Sequence, residues 1–162
     1  MQAKRKDFAH YVDTHLEGSS EQYTREGIGV ESLALEYNAQ IDTFKSILDD
    51  VANNTFDGYE ITSSINDKRI EKTDPMWAYL NYLRKNCIAG ETKFLEVDMT
   101  TANNGSYDAL LYDVLITISS FLGETAVIGY SVNVNGKPKI GTVTYSAGGV
   151  PTFTETTPSV SL

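Results

Sequence analysis

The stretch Tyr59-Glu60-Ile61-Thr62-Ser63-Ser64-Ile65-Asn66 alternates apolar and polar side chains, with Tyr59, Ile61 and Ile65 on one side. A period of two residues is typical of a β-strand that packs one face on a core and leaves the other in water. Residues 112–119 and 128–135 repeat the pattern. Their polar positions carry acids, hydroxyls and amides, and almost no basic residues. The sequence therefore predicts a sheet with one wet, acidic face.

Further strands are predicted from alternation and from the turn residues that separate them. They cover residues 7–14, 31–38, 92–99, 107–120, 125–134, 139–145 and a short stretch near 150–156. Residues 16–29 predict a turn or a short hairpin, and 41–48 fit either a strand or a helix. Residues 49–58 combine strong breakers with few packing residues, which predicts a long solvated loop. Asn135-Gly136 is typical of a tight turn.

One α-helix is predicted over about residues 74–88. Asp74 is a favoured N-cap and Pro75 a favoured first helical residue. Four residues at helical spacing share its apolar face: Met76, Leu80, Leu83 and Cys87. We therefore expect Cys87 to be a core thiol, and Gly90 to lie just beyond the helix end. Seven or eight strands with one helix indicate the α+β class, mainly β.

Length and charge restrict the function. The chain has 162 residues and a formal net charge of −9. This length predicts one domain over residues 1–157, followed by a flexible C-terminal tail at 158–162. An acidic chain repels the phosphates of free nucleic acid, so conventional DNA or RNA binding is not expected. We also expect no signal peptide and no membrane span, because no apolar run approaches the roughly 18–20 residues that a span requires.

No catalytic or cofactor signature occurs in the sequence. His10 and His15 are five residues apart and need not share a face, so exposed histidines are favoured over a metal site. Glu96 and Asp98 share a strand face, which favours a solvated row over acid–base chemistry. The ten tyrosines suit strands and subunit interfaces better than a ligand pocket. We expect a protein that is not an enzyme, with no catalytic residues, no cofactor and no metal.

Six segments carry a family resemblance when they are taken in order. They are K-R-K-D-F-A-H-Y-V at 4–12, L-A-L-E-Y-N-A-Q-I-D-T-F-K-S-I at 33–47, G-Y-E-I-T-S-S-I at 58–65, D-P-M-W-A-Y-L-N-Y-L-R-K at 74–85, L-E-V-D-M at 95–99 and Y-S-V-N-V-N-G-K-P-K-I-G-T-V-T-Y at 130–145. Together they resemble the major tail proteins of long-tailed bacteriophages (siphophages), the subunits of the tail tube. The segments span nearly the whole chain.

This resemblance implies a β-sandwich or barrel-like tail-tube fold with one flanking helix. It implies hexameric rings that stack into a hollow tube, through which the genomic DNA passes during ejection without specific binding. The implied partners are the protein itself and other tail proteins, namely the tape measure, distal tail and terminator proteins, with no membrane involved. The implied location is the tail of the virion, after synthesis in the cytoplasm of the host bacterium.

The resemblance also implies roles for two sets of residues. The wet face would line the lumen, with Asp42, Glu60, Thr62, Ser64, Asp113, Thr117 and Asn133 as candidates. The loop at 49–58 would contact neighbouring subunits or rings, with Asp49, Asp50, Asn53, Asn54, Phe56 and Asp57 as candidates. A plain outer solvated face is the competing explanation for the first set.

Two other classes stay open. One is another tube-like protein: a type VI secretion tube subunit, a tail terminator or a connector. The other is a small-ligand-binding β-barrel whose pocket is lined by tyrosines and Trp77. Tubes, as opposed to single rings, would favour the major tail protein. A monomer whose melting temperature shifts with a ligand would favour the barrel.

Overall fold

The computed structural model describes residues 2–16, 18–48 and 50–156. After a short 3-10 turn at Arg5–Asp7, its elements are β1 Phe8–Asp13, β2 Tyr23–Arg25, β3 Glu36–Phe44, β4 Asn53–Arg69, α1 Pro75–Asn86, β5 Gly90–Asn103, β6 Ser106–Leu122, β7 Val127–Tyr145 and β8 Pro151–Glu155. The predicted mainly β, α+β class with one flanking helix is confirmed for this part of the chain. Asp49 and the expected tail at 158–162 lie outside the described residues.

The described strands form one antiparallel sheet in the order β2-β1-β5-β6-β7-β4-β3, and β8 pairs with β7. The sheet curls until the segment after β2 reaches β4, where Arg69 donates its backbone N–H to the Gly29 carbonyl at 3.0 Å. Side chains of β1 and β4 therefore share one core with the helix. This closed packing agrees with the expected sandwich or barrel-like shape.

Two hydrophobic cores lie on opposite faces of the sheet. The first, next to α1, includes Val12, Ile65, Leu80, Phe94, Tyr112 and Tyr130. The second includes Tyr11, Leu95, Val97, Leu111 and Val143, with Phe153 of β8 packed against it. On β6 the buried positions change from odd to even numbers between Leu111 and Tyr112. Each face of the sheet is therefore apolar at one end and polar at the other.

The helix forms where the sequence predicts it. Asp74 caps it by accepting the Met76 backbone N–H at 3.0 Å. Its buried residues are Met76, Tyr79, Leu80 and Leu83. The prediction that Cys87 is a core thiol is wrong, because Cys87 ends the helix in a left-handed conformation, with φ 52°, and is exposed. Gly90 lies beyond the helix end, where it opens β5.

Two local predictions are wrong, and one predicted strand begins later than expected. Residues 53–58 are not a solvated loop, because they begin β4 and pair with β3. The strand predicted at 31–38 begins instead at Glu36 and runs to Phe44, so 41–44 is strand and not helix. Asn135-Gly136 is not a tight turn, because it lies in an irregular part of the continuous strand β7. For residues 53–58 and for Asn135-Gly136, pairing with another strand overrides the local turn propensity.

A buried ionic cluster holds the closed end of the sheet. Lys68 Nζ lies 2.7 Å from Glu26 Oε1 and 3.0 Å from Asp74 Oδ2. It also donates a hydrogen bond to the Ile28 carbonyl at 2.6 Å, and Tyr130 donates one to Glu26 Oε2 at 2.8 Å. Buried charges require such partners, because each loses its hydration shell. The cluster thereby connects β4, β7, the start of α1 and the segment after β2.

Gly29→Ala is expected to destabilise the fold more than Gly18→Ala. Both glycines have positive φ, 72° and 86°, so either alanine costs about 1–2 kcal/mol in backbone strain. At Gly29 the new Cβ would also collide with the Arg69 carbonyl oxygen, whereas nothing lies within 4 Å at Gly18. We expect urea unfolding to show a further loss of about 1–3 kcal/mol for Gly29→Ala. Equal losses would contradict the close packing of this segment against β4.

Tyr130 is expected to make the fold sensitive to alkali. Burial, and then the Glu26 carboxylate, raise the pKa of Tyr130 well above its ordinary value of 10.0. The folded chain keeps this proton at a pH where the unfolded chain releases it. The free energy of unfolding should therefore be unaffected by this group below about pH 10 and fall above it.

Tyr130→Phe tests this linkage. The variant should lose about 1.5–3 kcal/mol at neutral pH, because Glu26 loses a hydrogen-bond donor. Its stability should then fall less steeply than that of the wild type above about pH 10. Urea unfolding over a series of alkaline buffers measures both slopes, and parallel slopes would contradict the assignment.

Candidate functional site: a hairpin arm and a polar sheet face

A β-hairpin projects from the sheet, and we term residues 36–61 the hairpin arm. It consists of β3, the turn that follows and the first half of β4. In the described chain, residues 53–61 pair only with β3, because β7 joins β4 from Thr62 onwards. Every residue of β3 is exposed. A hairpin of two strands is marginally stable in water on its own, so further packing would stabilise the arm.

One side of the arm is apolar. Its members, each more than half exposed, are Tyr37, Ile41, Phe56 and Tyr59. The rings of Phe56 and Tyr59 lie 4.8 Å apart, and Tyr59 meets Tyr37 edge-on at 5.9 Å. A bulge makes this possible, because the pairing with β3 skips Asp57 next to Gly58, whose φ is 114°. The extra residue changes the phase of the strand and brings Phe56 and Tyr59 to the same side.

The apolar side of the arm continues the first core. At the root of the arm, the hydroxyl oxygens of Tyr37 and Tyr112 lie 3.1 Å apart, and Tyr112 is fully buried. Burial, followed by the hydrogen bond with Tyr37, raises the pKa of Tyr112, so Tyr112 stays neutral. Further out, the same side faces water. The arm therefore carries a core-like surface that the described chain leaves open.

The turn at the end of the arm is apolar too. Ile47 and Leu48 are 98% and 91% exposed, and Val51 is also exposed. Isolated apolar residues are common on protein surfaces, but contiguous apolar patches mark interaction sites. The tip and the apolar side each expose apolar surface of this kind.

The seven predicted lining residues lie on one side of the sheet. We term this surface the polar face: Asp42, Glu60, Thr62, Ser64, Asp113, Thr117 and Asn133. Residues paired directly across neighbouring antiparallel strands share a face. Thr62 pairs with Asn133, while Ser131 pairs with Ser64 on one flank and Thr117 on the other. The opposite face of the same strands is the first core.

The polar face is acidic, although less uniformly than the sequence predicts. Asp42, Glu60 and Asp113 are exposed. Lys93, which the sequence analysis did not place here, pairs with Asp113 across β5 and β6 and shares its face. The residue opposite Glu60 on β3 is Asn38, which is uncharged. The position of Lys93 opposite Asp113 follows from the pairing of β5 with β6. The sequence of β5 alone does not show which residue of another strand lies opposite Lys93.

Five of the six predicted ring-stacking residues lie in the described part of the arm, and four of these five are in a strand and not in a loop. Asn53, Asn54 and Phe56 are paired strand residues, Asp57 lies in the bulge, and Asp50 lies in the turn. Asp49 lies outside the described residues. The sequence analysis missed the other members of the exposed patch: Tyr37, Ile41, Ile47, Leu48 and Tyr59. The available signal was the adjacent apolar pair Ile47 and Leu48, since such a pair is unusual in a solvated turn.

The two histidines do not meet. His10 Nε2 lies 3.2 Å from Glu96 Oε2, and His15 Nδ1 lies 2.8 Å from Asp13 Oδ1. Across residues 2–16, 18–48 and 50–156, no three His, Cys, Asp or Glu side chains are grouped as a metal site requires. Each histidine therefore contacts a different carboxylate, and the two contacts are separate.

A groove of about 690 Å³ opens beside β1. Phe8, Val30 and Leu33 form apolar parts of its wall, and Lys6 and Arg25 contribute positive charge. Its described lining contains neither a tyrosine nor Trp77. Trp77 stacks on Phe121 instead, with ring centroids 6.3 Å apart. The aromatic pocket expected for a ligand-binding barrel is therefore not this groove.

Comparison with solved structures adds a likeness of fold. No protein-family model matches the chain, and no curated protein matches it in sequence. The chain is similar to one in the cryo-EM structure of the anti-feeding prophage (AFP) baseplate, 6-fold symmetrised. The TM-score is 0.46 and the identity 6%, with 89% of this chain and 97% of that chain covered. A likeness of this strength carries no conclusion about function or assembly.

The helix content gives one further observation. Among the residues that the structure describes, no helix combines the length and apolar character needed to cross a membrane.

Proposed function

We propose that this chain is the subunit of a phage tail tube, in which six copies form a ring and the rings stack around a channel. The observation that carries the proposal is the apolar side of the hairpin arm. It has the composition of a core, yet nothing in the described chain covers it. Fully burying one such side chain contributes about 1.5–3 kcal/mol. A repeated contact between identical copies would bury it, and such a contact can close into a ring.

The edge of the sheet supports pairing between copies. β3 is an edge strand of nine exposed residues. A long exposed edge is a template for pairing with another chain, and closing the sheet into a barrel removes that edge. In the proposed ring, β3 of each copy pairs with its neighbour, so that the sheets continue around the channel.

The polar face supports the lining of the channel. Asp42, Glu60 and Asp113 provide negative charge, while the remaining positions provide hydroxyl and amide groups. In salt the repulsion of DNA phosphates reaches roughly 10 Å from such a wall. The surface would therefore let DNA slide past without binding it.

The tip of the arm would supply the contact between successive rings. Ile47 and Leu48 are almost completely exposed, so they are free to enter an apolar site on another ring. This role moves the ring-stacking contact from the predicted solvated loop to the tip of the hairpin arm.

The proposal includes partners and a location. The subunit would contact copies of itself and the tape measure, distal tail and terminator proteins, without a membrane. It would be made in the cytoplasm of the host bacterium and would act in the virion tail, with no enzymatic activity, cofactor or metal. The same surfaces would also suit a type VI secretion tube subunit, a terminator or a connector. Long tubes, as opposed to single rings, favour the tail-tube subunit.

Ile47→Asp combined with Leu48→Asp is expected to abolish stacking without unfolding the chain. Both side chains lie almost fully in water, so their replacement should leave the urea midpoint unchanged. In negative-stain electron microscopy and light scattering, the wild type should give hollow rings and tubes with sixfold end views. The variant should give monomers or single rings, because charged tips cannot enter an apolar contact.

Val150→Asp is the matched control, since Val150 is an exposed apolar residue outside the arm. It should still form tubes. If the wild type remains monomeric, purified tail-tip complexes should be added as nuclei to all three proteins. Tubes formed by the arm variant would overturn the stacking role, and a wild type that stays monomeric with nuclei would overturn the proposed function.

Glu60→Lys combined with Asp113→Lys is expected to leave the tubes intact but to impair ejection of DNA. The new lysines would attract the phosphates that the acids repel. Release of DNA from assembled virions, together with their infectivity, measures the effect. Glu71→Lys with Glu124→Lys changes the net charge equally at exposed acids outside the polar face. Normal infectivity of the polar-face variant would rule out the lining role.

A further inference from the structure

Three ionisable side chains are buried together around a single amine nitrogen. The side chains of Lys68, Glu26 and Asp74 are 0%, 1% and 1% exposed. Lys68 Nζ lies within 3.0 Å of a carboxylate oxygen from each acid. One ammonium cannot neutralise two carboxylates, and an uncompensated buried charge is costly. The cluster therefore contains more acid than an ion pair needs, together with the groups that an amide-forming reaction requires.

We propose that Lys68 and Asp74 condense into an intramolecular isopeptide bond between Lys68 Nζ and Asp74 Cγ, with Glu26 as the general base. The inference concerns the chain itself and does not depend on the proposed function.

Hydrogen bonds and one ion pair assign the three roles. Asp74 Oδ1 accepts the Met76 backbone N–H at 3.0 Å, so a donor is in place for the negative charge that develops on this oxygen during attack. Oδ2, which faces the amine at 3.0 Å, is the leaving oxygen. Glu26 is fixed by the Tyr130 hydroxyl on Oε2 and directs Oε1 at the amine, as a positioned base requires.

The reaction balances without a further reagent. The Lys68 ammonium gives one proton to the Asp74 carboxylate, and the neutral amine attacks Cγ of the resulting acid. Glu26 takes a second proton from the nitrogen and returns it to the departing Oδ2 oxygen. One C–N bond forms, one C–O bond breaks and one water molecule leaves, with no change of oxidation state.

Burial favours the amide over the ion pair. The reaction replaces two opposite buried charges by a neutral group, which removes their desolvation cost. It also expels a water molecule from a site that excludes solvent, which opposes hydrolysis. Glu26 loses its cationic partner in this reaction, and the Tyr130 hydroxyl and the Gly27 backbone N–H remain to donate hydrogen bonds to its carboxylate. The bond would join the end of β4 covalently to the first turn of α1.

The experiment is mass spectrometry of the full chain, purified and then denatured. The wild type should be lighter than its sequence mass by one water molecule. Trypsin should yield a branched peptide in which residues 46–69 are joined to residues 73–84, with residues 70–72 cut out between them. The reacted fraction should grow while the protein is folded and should not grow in denaturant.

Two variants test the roles. Lys68→Arg keeps a cation but cannot condense in this way, so its mass should equal the sequence mass. Glu26→Gln keeps the shape of the side chain but removes the base, and the reacted fraction should fall at least several-fold after equal incubation. Lys72→Arg, at an exposed lysine close by, is the control and should lose water as the wild type does.

The wild-type measurement decides the proposal even if a variant fails to fold. A wild type that keeps its full sequence mass after long incubation in the folded state would overturn it. So would a loss of water that maps elsewhere, for example to a succinimide at Asp57-Gly58, or a branched peptide that joins Lys68 to Glu26. An unchanged reacted fraction in folded Glu26→Gln would overturn the role of Glu26.

Discussion

The burial of Lys68 between two acids is the constraint on which the closed shape of the molecule depends. Without partners this ammonium could not enter the interior, so Glu26 and Asp74 must lie where they do. Glu26 belongs to the segment after β2, and Asp74 caps the helix. One lysine thereby sets the distance between β4, the helix and the far side of the sheet. The curled sheet, and the core under the helix, follow from that distance.

The curled sheet buries one face at one end and the opposite face at the other end. This change of buried face along the strands creates the candidate site. Near Leu111 the odd positions of β6 are buried in the second core, whereas from Tyr112 onwards the even positions are buried in the first core, next to the helix. The odd positions of the second half are consequently free to carry the polar face. The hairpin arm extends from the same end. The apolar side of the arm continues the first core past the point where the described chain covers it. The same apolar surface therefore belongs to the core at the root of the arm and to the proposed contact between copies further out.

Local patterns predicted part of this arrangement well. Asp74-Pro75 predicted the start of the helix, because capping depends on neighbouring residues alone. Alternation in 59–66, 112–119 and 128–135 placed six of the seven polar-face residues on one side. Cys87 was misplaced because helical spacing does not show where the last turn ends. Residues 53–58 were predicted as a loop because Asn, Asp and Gly favour turns, yet pairing with β3 holds them as strand.

The amino-acid sequence by itself determined the class of the protein: a mainly β chain with one capped helix, an acidic wet face and no recognisable catalytic signature. These properties depend on composition and on contacts between near neighbours, which spacing reveals. The tertiary structure alone decided that the breaker-rich segment belongs to an exposed arm and that Lys93 faces Asp113. It alone brought Glu26 and Asp74 to Lys68. Those outcomes depend on pairing and closure between residues far apart in the chain, and no local pattern records which distant strand or charge will be the partner.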